Sequence, residues 1–373
     1  MKTKNRVIVV YAQWASAPTG CEIYRGNMPM HFLGENSNWE TQWVSLGDVW
    51  KDCQNRGFAA SDAFVNSADV FVFPRMFLSD EESVQMYGSL FALLRQNNKR
   101  IVYELDDDLT NEYRVVVDGD AITPAKWADA ITCTTPFLAA RMKRLTGRPV
   151  YVLPNAVAPS TWQGGDVVRP AALDDKYVIG LTGSLSHAHD WEVLKTVIPT
   201  VLANNPSVEF LIMGFYPDYL ANLPRTKYMP PMDYMRYAQI IRMCDMILAP
   251  VDPLDNFNLS KSPIKVIEGM AAKRTRYGRD MGAAVIASDT PVYRLAIKHE
   301  VTGLLTDHTP AAWYASIQRL LDDPALRTKL QMNGYNWVYK HHSMASEWRS
   351  WAQAYTKILA APQNPLPLPY MHT

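Results

Sequence analysis

Short apolar runs alternate along this chain with stretches of helical period. Residues 7–11, 68–73 (ADVFVF), Arg100–Leu105 (RIVYEL), Ala130–Cys133 and 150–153 read as strands. Runs this continuous are apolar on both faces, which a strand tolerates only when both faces are covered. Amphipathic stretches such as Glu81–Gln96 lie between them. The pattern predicts a parallel sheet with helices on its two sides. Over 159–175 the periodicity fades and Pro, Gly and Asp accumulate, which predicts an interdomain linker. A second alternating set follows. Strands are expected at 177–181, 208–213, 246–249 and 283–287, and helices at 191–202, 232–243 and 263–272. Long helices begin near 311, and the proline-rich end, 361–373, reads as an irregular extension.

Two such sets predict an α/β protein of two doubly wound, Rossmann-like domains facing across a cleft. Residues 1–165 form the first and 176–345 the second. Residues 346–373 supply a helix and tail that pack back on the first domain. In open sheets of this kind ligands bind beyond the carboxyl ends of the strands.

The chain has 373 residues, 48% hydrophobic and 20% charged, which suits two large cores and excludes a disordered chain. Lys+Arg and Asp+Glu each number 37, so the net charge is zero, which argues against a protein that coats nucleic acid. The four cysteines, Cys21, Cys53, Cys133 and Cys244, are scattered. They form neither a CxxC metal motif nor a disulfide framework, and a cytoplasmic setting is expected. No apolar run reaches the ~20 residues of a transmembrane helix. Oligomeric state is not legible.

Five stretches carry candidate chemistry. In residues 255–270 (DNFNLSKSPIKVIEGM), Ser262 and Pro263 signal a helix start, with Ser262 as cap. Lys261 beside a helix N-terminus makes an anion site. Lys265 and Glu268, three apart, share a face, with Glu268 placed for ribose hydroxyls. An ordinary surface helix with a Lys265–Glu268 ion pair fits the same spacing. In residues 180–191 (GLTGSLSHAHDW), a strand runs into a Gly/Ser turn. Gly183 permits close backbone approach, and Ser184 or Ser186 can donate to a phosphate. His187 and His189 are candidate ligands or acid/base groups, although a zinc site would want more of them.

Asp106, Asp107 and Asp108 end the third strand run. They could hold a divalent metal, serve an acceptor hydroxyl, or cap a turn. Arg25, in a turn after the first strand, fits either a phosphate contact or a structural salt bridge. Trp14, Trp39, Trp43 and Trp50 fit a sugar site or the core equally. Residues 273–279 (KRTRYGR) bring Lys273, Arg274, Arg276 and Arg279 together. The run reads as a solvated loop or as a contact for an anionic acceptor.

Taken in order, these segments resemble the GT-B glycosyltransferases of the large retaining family that includes bacterial transferases acting on cell-surface glycans. The likeness is greatest to a phage and bacterial branch with DDDL and an FN…KS…K…E motif. It spans residues 100–109, 150–155, 180–191, 245–250, 257–270, 282–289 and 303–305. The resemblance implies that Glu268 holds the donor ribose. It implies that Lys261 and Ser262 approach the diphosphate and donor sugar, and that Gly183 and Ser184 form the phosphate-approaching turn. His187 and Lys265 are counted with the donor contacts. Asp106 and Asp107 fall where many relatives place a histidine near the reacting sugar, and with Lys261 they are the catalytic candidates.

Two departures stand out. Ser260 occupies the position eight before Glu268 where relatives carry a second glutamate, and SLSHAH replaces the usual Arg and Lys pair. Lys261 is the expected substitute for that pair, and 273–281 looks like an insertion. The implied reaction moves a sugar from a UDP- or GDP-sugar to a hydroxyl, with retention and with no metal or other cofactor. The acceptor would be a surface or lipid-linked glycan, or a modified phage DNA base. Two alternatives remain: a nucleotide-sugar epimerase of similar architecture, and a non-catalytic sugar-nucleotide or glycan-binding protein.

Overall fold

The computed structural model describes residues 4–11, 20–110, 120–165, 167, 169–276 and 278–365. They divide into two compact units. Unit 1 comprises Met1–Asn155, Ser260–Ser262 and Met344–Thr373, and unit 2 comprises Ala156–Leu259 and Pro263–Ser343.

In unit 1 the strands are β1 (Asn5–Tyr11), β2 (Trp39–Ser45), β3 (Val70–Pro74), β4 (Arg100–Leu105), β5 (Ala130–Cys133) and β6 (Val150–Val152). They form one parallel sheet in the order β2-β1-β3-β4-β5-β6. In unit 2 they are β7 (Tyr177–Gly183), β8 (Val208–Gly214), β9 (Thr226–Met229) and β10 (Met246–Ala249). A hairpin of β11 (Arg274–Arg276) and β12 (Arg279–Met281) follows, then β13 (Ala284–Ser288) and β14 (Leu304–Thr306). The second sheet is also parallel, in the order β14-β13-β10-β7-β8-β9. Counted within the unit that is 3-2-1-4-5-6 reversed, the doubly wound order whose direction switches between β7 and β10. In unit 1 the switch falls between β1 and β3. The α/β, doubly wound expectation holds for both sheets.

The central strands β3, β5, β10 and β13 are buried along their whole length, which is why their sequences are continuously apolar. The apolar pattern did not pick out β2, β9 or β14. All three are sheet edges: β2 and β9 are half-exposed and tolerate polar residues such as the Glu-Thr-Gln of β2, and β14 is only three residues long. Residues 159–175, expected as a linker, include a short helix, Pro159–Gln163. Its Trp162 is fully buried in the unit 2 core and donates its indole N–H to the Tyr234 hydroxyl at 2.8 Å. One large aromatic outweighs the Pro/Gly composition around it. Within 273–281, expected as an insertion whose 273–279 part is a solvated loop or an anion contact, Arg274–Arg276 and Arg279–Met281 pair as the β11–β12 hairpin.

Buried carboxylates organise both units. Glu104, on β4, is paired with Arg25 at 2.7 Å, and both side chains are almost completely buried. Arg25 also donates to the Leu153 carbonyl at 2.6 Å and to Asn155 Oδ1 at 2.9 Å, and its guanidinium lies 4.8 Å from the Trp351 ring centre. The segment after β1 is thereby fixed to β4, to the end of the β6 segment and to the last helix, Met344–Ala360. Of the two roles open to Arg25, the structure shows the salt bridge. A guanidinium enclosed in this way cannot reach a phosphate. In unit 2, Asp245 precedes β10 and holds Arg274 at 2.7 Å and Arg169 at 2.5 Å.

Two stability predictions follow from burial. Removing one partner of a buried pair leaves an uncompensated charge, so Arg25→Met should cost about 3–5 kcal/mol in denaturant unfolding. A cost below ~1 kcal/mol would mean that the pair does not support unit 1. His342, half-buried in unit 2, has its pKa lowered from 6.5 to about 4 by burial and by neighbouring His341. The unfolded chain therefore takes a proton near pH 6.5 that the folded chain refuses until about pH 4. Stability is complete above pH 6.5 and falls as pH drops toward 4, by up to roughly 3 kcal/mol. Unfolding curves of His342→Gln should lack that fraction of the acid loss.

Candidate functional site

At the switch point of the unit 2 sheet, β7 ends in Gly183. A side chain there has no room. A Cβ would lie 2.9 Å from Trp191 Cζ2, 3.0 Å from Lys265 Nζ and 3.1 Å from His187 Cδ2. Trp191 is fully buried and cannot yield cheaply. Next to it, the Gly183 carbonyl accepts from the Phe215 N–H at 2.7 Å. Gly214 comes so close to that carbonyl, at φ +89°, that only glycine fits. The Gly183 backbone is thus closely packed, with an ammonium group and an imidazole about 3 Å from where a side chain would begin.

The imidazole is held in turn. His187 Nδ1 lies 2.8 Å from Asp190 Oδ2, and Asp190 is fully buried. The other Asp190 oxygen accepts from the Asp252 N–H at 2.9 Å and from Asn258 Nδ2 at 2.7 Å. One carboxylate therefore ties the loop after β7 to the loop after β10, across the switch point. Exposed His189 meets Asp252 at 3.1 Å. Nearby, Ser288 Oγ lies 3.1 Å from His308 Nδ1, and burial lowers the His308 pKa.

Lys265 and Glu268 lie on the helix Ile264–Ala271. Glu268 is buried and accepts from the Tyr237 hydroxyl at 2.8 Å. Burial, and then Glu268, raise the Tyr237 pKa, so this phenol keeps its proton and donates it. The Tyr237–Glu268 bond joins the helix Tyr234–Ile241 to the helix Ile264–Ala271.

Ser262 is not the cap expected of it. The helix begins at Ile264 with Pro263 at the cap position and no side-chain cap bond. Ser262 Oγ instead accepts from Asn155 Nδ2 at 2.9 Å, and the Ser260 carbonyl accepts from Thr135 Oγ1 at 3.3 Å, both within unit 1. Lys261 lies in that unit 1 segment, whereas Lys265 is beside Gly183 in unit 2. Ser184 Oγ lies 2.9 Å from Ser186 Oγ.

The basic run is largely spent on structure. Lys273 pairs with Asp280 at 3.2 Å, and Arg274 is locked onto Asp245. Arg279 follows the hairpin turn at Gly278, whose φ is +70°. The Arg276 side chain lies outside the described residues, as do Tyr277 and Trp14. Trp39 is core, packed on Tyr355, and Trp43 and Trp50 are exposed.

In unit 1 the three aspartates separate. Asp108 is buried, pairs with Arg141 at 2.5 Å and accepts from the Thr110 N–H and hydroxyl at 3.1 and 2.6 Å, so it caps a turn. Asp106 and Asp107 share Arg75, at 3.2 and 3.7 Å. Among the described residues no group of three or more His, Cys, Asp or Glu is arranged to hold a metal ion. No helix among them is long and apolar enough to cross a membrane.

Sequence reasoning missed Asp190, Tyr237, Arg75 and Arg141. Only Asp190 left a local signal, its i,i+3 spacing from His187.

Residues 176–323 match the family model described as Glycosyl transferases group 1. Among solved structures, Anabaena HepE, crystallised with UDP and glucose, superposes with a TM-score of 0.65 at 13% identity. It covers 95% of this chain and 100% of its own. Sucrose-phosphate synthase of Thermosynechococcus elongatus gives 0.62 at 14% identity, with 96% and 100% covered. A glycosyltransferase of Rickettsia africae gives 0.65 at 13%, with 96% and 100% covered. These likenesses establish the GT-B fold, and the match of residues 176–323 to the group 1 model supports a glycosyltransferase.

Proposed function

We propose that the chain transfers a sugar from a nucleotide diphosphate to a hydroxyl acceptor, and that unit 2 binds the donor around Gly183. The observation that carries this reading is the turn at Gly183, with Lys265 Nζ and His187 packed beside it, at the switch point of a doubly wound sheet. A diphosphate needs backbone at a turn and a cation, and both are there. HepE, of the same fold, was crystallised with UDP-glucose, which makes a UDP-sugar the first donor to try.

Lys265 takes the role expected of Lys261, as the cation that steadies charge growing on the leaving diphosphate. His187, oriented by Asp190, lines the same turn. Glu268, oriented by Tyr237, accepts the ribose hydroxyls. Asp107 serves the acceptor hydroxyl. With Lys273 and Arg274 committed to carboxylates, the case for a DNA acceptor weakens, and a glycan hydroxyl is the proposed acceptor. The bond between sugar and phosphate loosens first, and the sugar passes through oxocarbenium character, with retention. The reaction runs without a metal, because Asp106 to Asp108 are already matched to arginines.

Titration calorimetry with UDP and with GDP tests the donor site. Lys265→Ala and Glu268→Ala should each weaken nucleotide binding by about 1.5–3 kcal/mol, the worth of a charge-assisted hydrogen bond. Lys261→Ala should cost less than Lys265→Ala. Gly183→Ala should weaken binding at least as much as Lys265→Ala while the protein remains folded. Unchanged affinity in all of them would place the donor elsewhere. Release of UDP from UDP-glucose should survive EDTA. Loss with EDTA and recovery with Mg or Mn would overturn the metal-free mechanism.

A further inference from the structure

At the amino end of the unit 1 sheet, opposite the end that carries Asp106–Asp108, arginines outnumber carboxylates. Arg100 opens β4, Asp129 stands just before β5, and Arg148 just before β6. These strands are neighbours, and Arg95, in the last turn of the helix Glu81–Gln96, leads into the first of them. The main chain fixes each guanidinium. Arg95 Nη2 donates to the Trp127 carbonyl, and Arg148 Nε to the Lys126 carbonyl at 2.7 Å, at the end of the helix Ile122–Trp127. Arg100 donates Nε and Nη2 to the Ala361 carbonyl at 3.1 and 2.8 Å and Nη1 to the Asn98 carbonyl at 3.3 Å.

Carbonyls hold these groups in place without neutralising them. Among the described residues, Asp129 is the one carboxylate that acts on Arg95 and on Arg148. It is buried, 3.2 Å from Arg95 Nη1, and its oxygens also accept from the Ile101 and Asn364 N–H groups, both at 2.8 Å. Asp69, before β3, is engaged by the Arg6 N–H at 2.8 Å. Arg100 and Arg148 have no ion pair among the described residues. Three guanidinium groups therefore share one carboxylate, a surplus of two positive charges. Their acidity reflects the crowding. Burial, reinforced by Arg148 and Arg100, holds the Arg95 pKa below its ordinary value although Asp129 opposes it, and burial lowers that of Arg148 in the same way. In Arg25 and Arg75, by contrast, neighbouring carboxylates outweigh burial and the pKa is raised.

Donors are also left over. The Arg95 side chain is 9% exposed, and its Nε–H is buried without a hydrogen-bond partner. The terminal nitrogens of half-buried Arg148 make no hydrogen bond among the described residues. Holding like charges together with donors unused sacrifices stability, which an anion restores. Guanidinium groups match the oxygens of a phosphate in shape, and a phosphate monoester carries about two negative charges above pH 7, enough to cancel the surplus.

We propose that the amino end of β4, β5 and β6 binds a phosphate group, with the terminal nitrogens of Arg148 on its oxygens and the charges of Arg95 and Arg100 facing it. The site lies in unit 1 and is separate from the turn at Gly183 in unit 2, so it does not depend on the sugar-transfer reading. Two sources present the same group: soluble phosphate, and a lipid headgroup that ends in a phosphate monoester.

The test uses the full chain at constant ionic strength, with inorganic phosphate replacing chloride. Phosphorus NMR reads binding, and melting temperatures are taken with and without phosphate for wild type, Arg148→Gln, Arg148→Lys and Lys265→Ala. Wild type and Lys265→Ala should both bind phosphate and melt higher in it. Arg148→Gln should bind about tenfold more weakly, the worth of one charge-assisted contact, and lose that rise, with Arg148→Lys between the two. Without phosphate, Arg148→Gln should melt no lower than wild type, because one of three like charges is gone; an arginine with a purely structural role would show a drop. Sedimentation with phosphatidylcholine vesicles, with and without phosphatidic acid, separates the sources. If phosphatidic acid carries down wild type but not Arg148→Gln, the source is the headgroup; if the two behave alike, it is soluble phosphate. The proposal is overturned if wild type binds no phosphate, if Arg148→Gln binds it as wild type does, if Lys265→Ala abolishes binding, or if Arg148→Gln already melts lower in the absence of phosphate.

Discussion

A carboxylate taken out of water must be given a cation or a set of hydrogen-bond donors, and this constraint decides what most of the charged residues of the chain are available to do. Glu104 claims Arg25, Asp108 claims Arg141, and Asp245 claims Arg274 and Arg169. Asp190, fully buried, takes His187, Asn258 and a backbone N–H. Apart from His187 on Asp190, the pairings join segments distant in sequence, and those of Glu104, Asp108 and Asp190 hold segments at the carboxyl ends of strands. Near the switch point of unit 2 stand a glycine without room for a side chain, Lys265 beside it, and Glu268, which accepts from the Tyr237 hydroxyl. These groups form the donor site we propose.

The central strands were legible in the sequence because a strand buried on both faces must be apolar throughout, as VFVFP and AVIAS are. The edge strands β2 and β9 escaped because they are not. The linker expectation failed at Trp162 for a related reason: composition averages over a stretch, and a single buried indole can anchor it. The helix at 264–271 was legible from its apolar period, yet its cap was not. Ser262 has the chemistry of a cap, but Asn155 holds its hydroxyl, and no local pattern reports a partner 107 residues away.

The same limit governs the site. Gly183, Lys265 and Glu268 could be picked out locally, as a turn and a helix face. Arg75 and Asp106 stand 31 positions apart, as do Tyr237 and Glu268, and their meeting depends on strand order. Residue type alone also misleads. Arg25 and Arg274 are the kinds of side chain that bind phosphates, and the structure shows them bound to carboxylates instead. A cluster of arginines on paper is a set of counterions until the anions around them have been counted.

The most direct test of this account is a crystal structure of the chain with UDP-glucose bound. It predicts the diphosphate against the Gly183 backbone within hydrogen-bond distance of Lys265 Nζ, with Arg25 and Arg274 still on Glu104 and Asp245 and making no phosphate contact. A diphosphate held instead by Arg274 or Lys273, with Lys265 turned away, would contradict it.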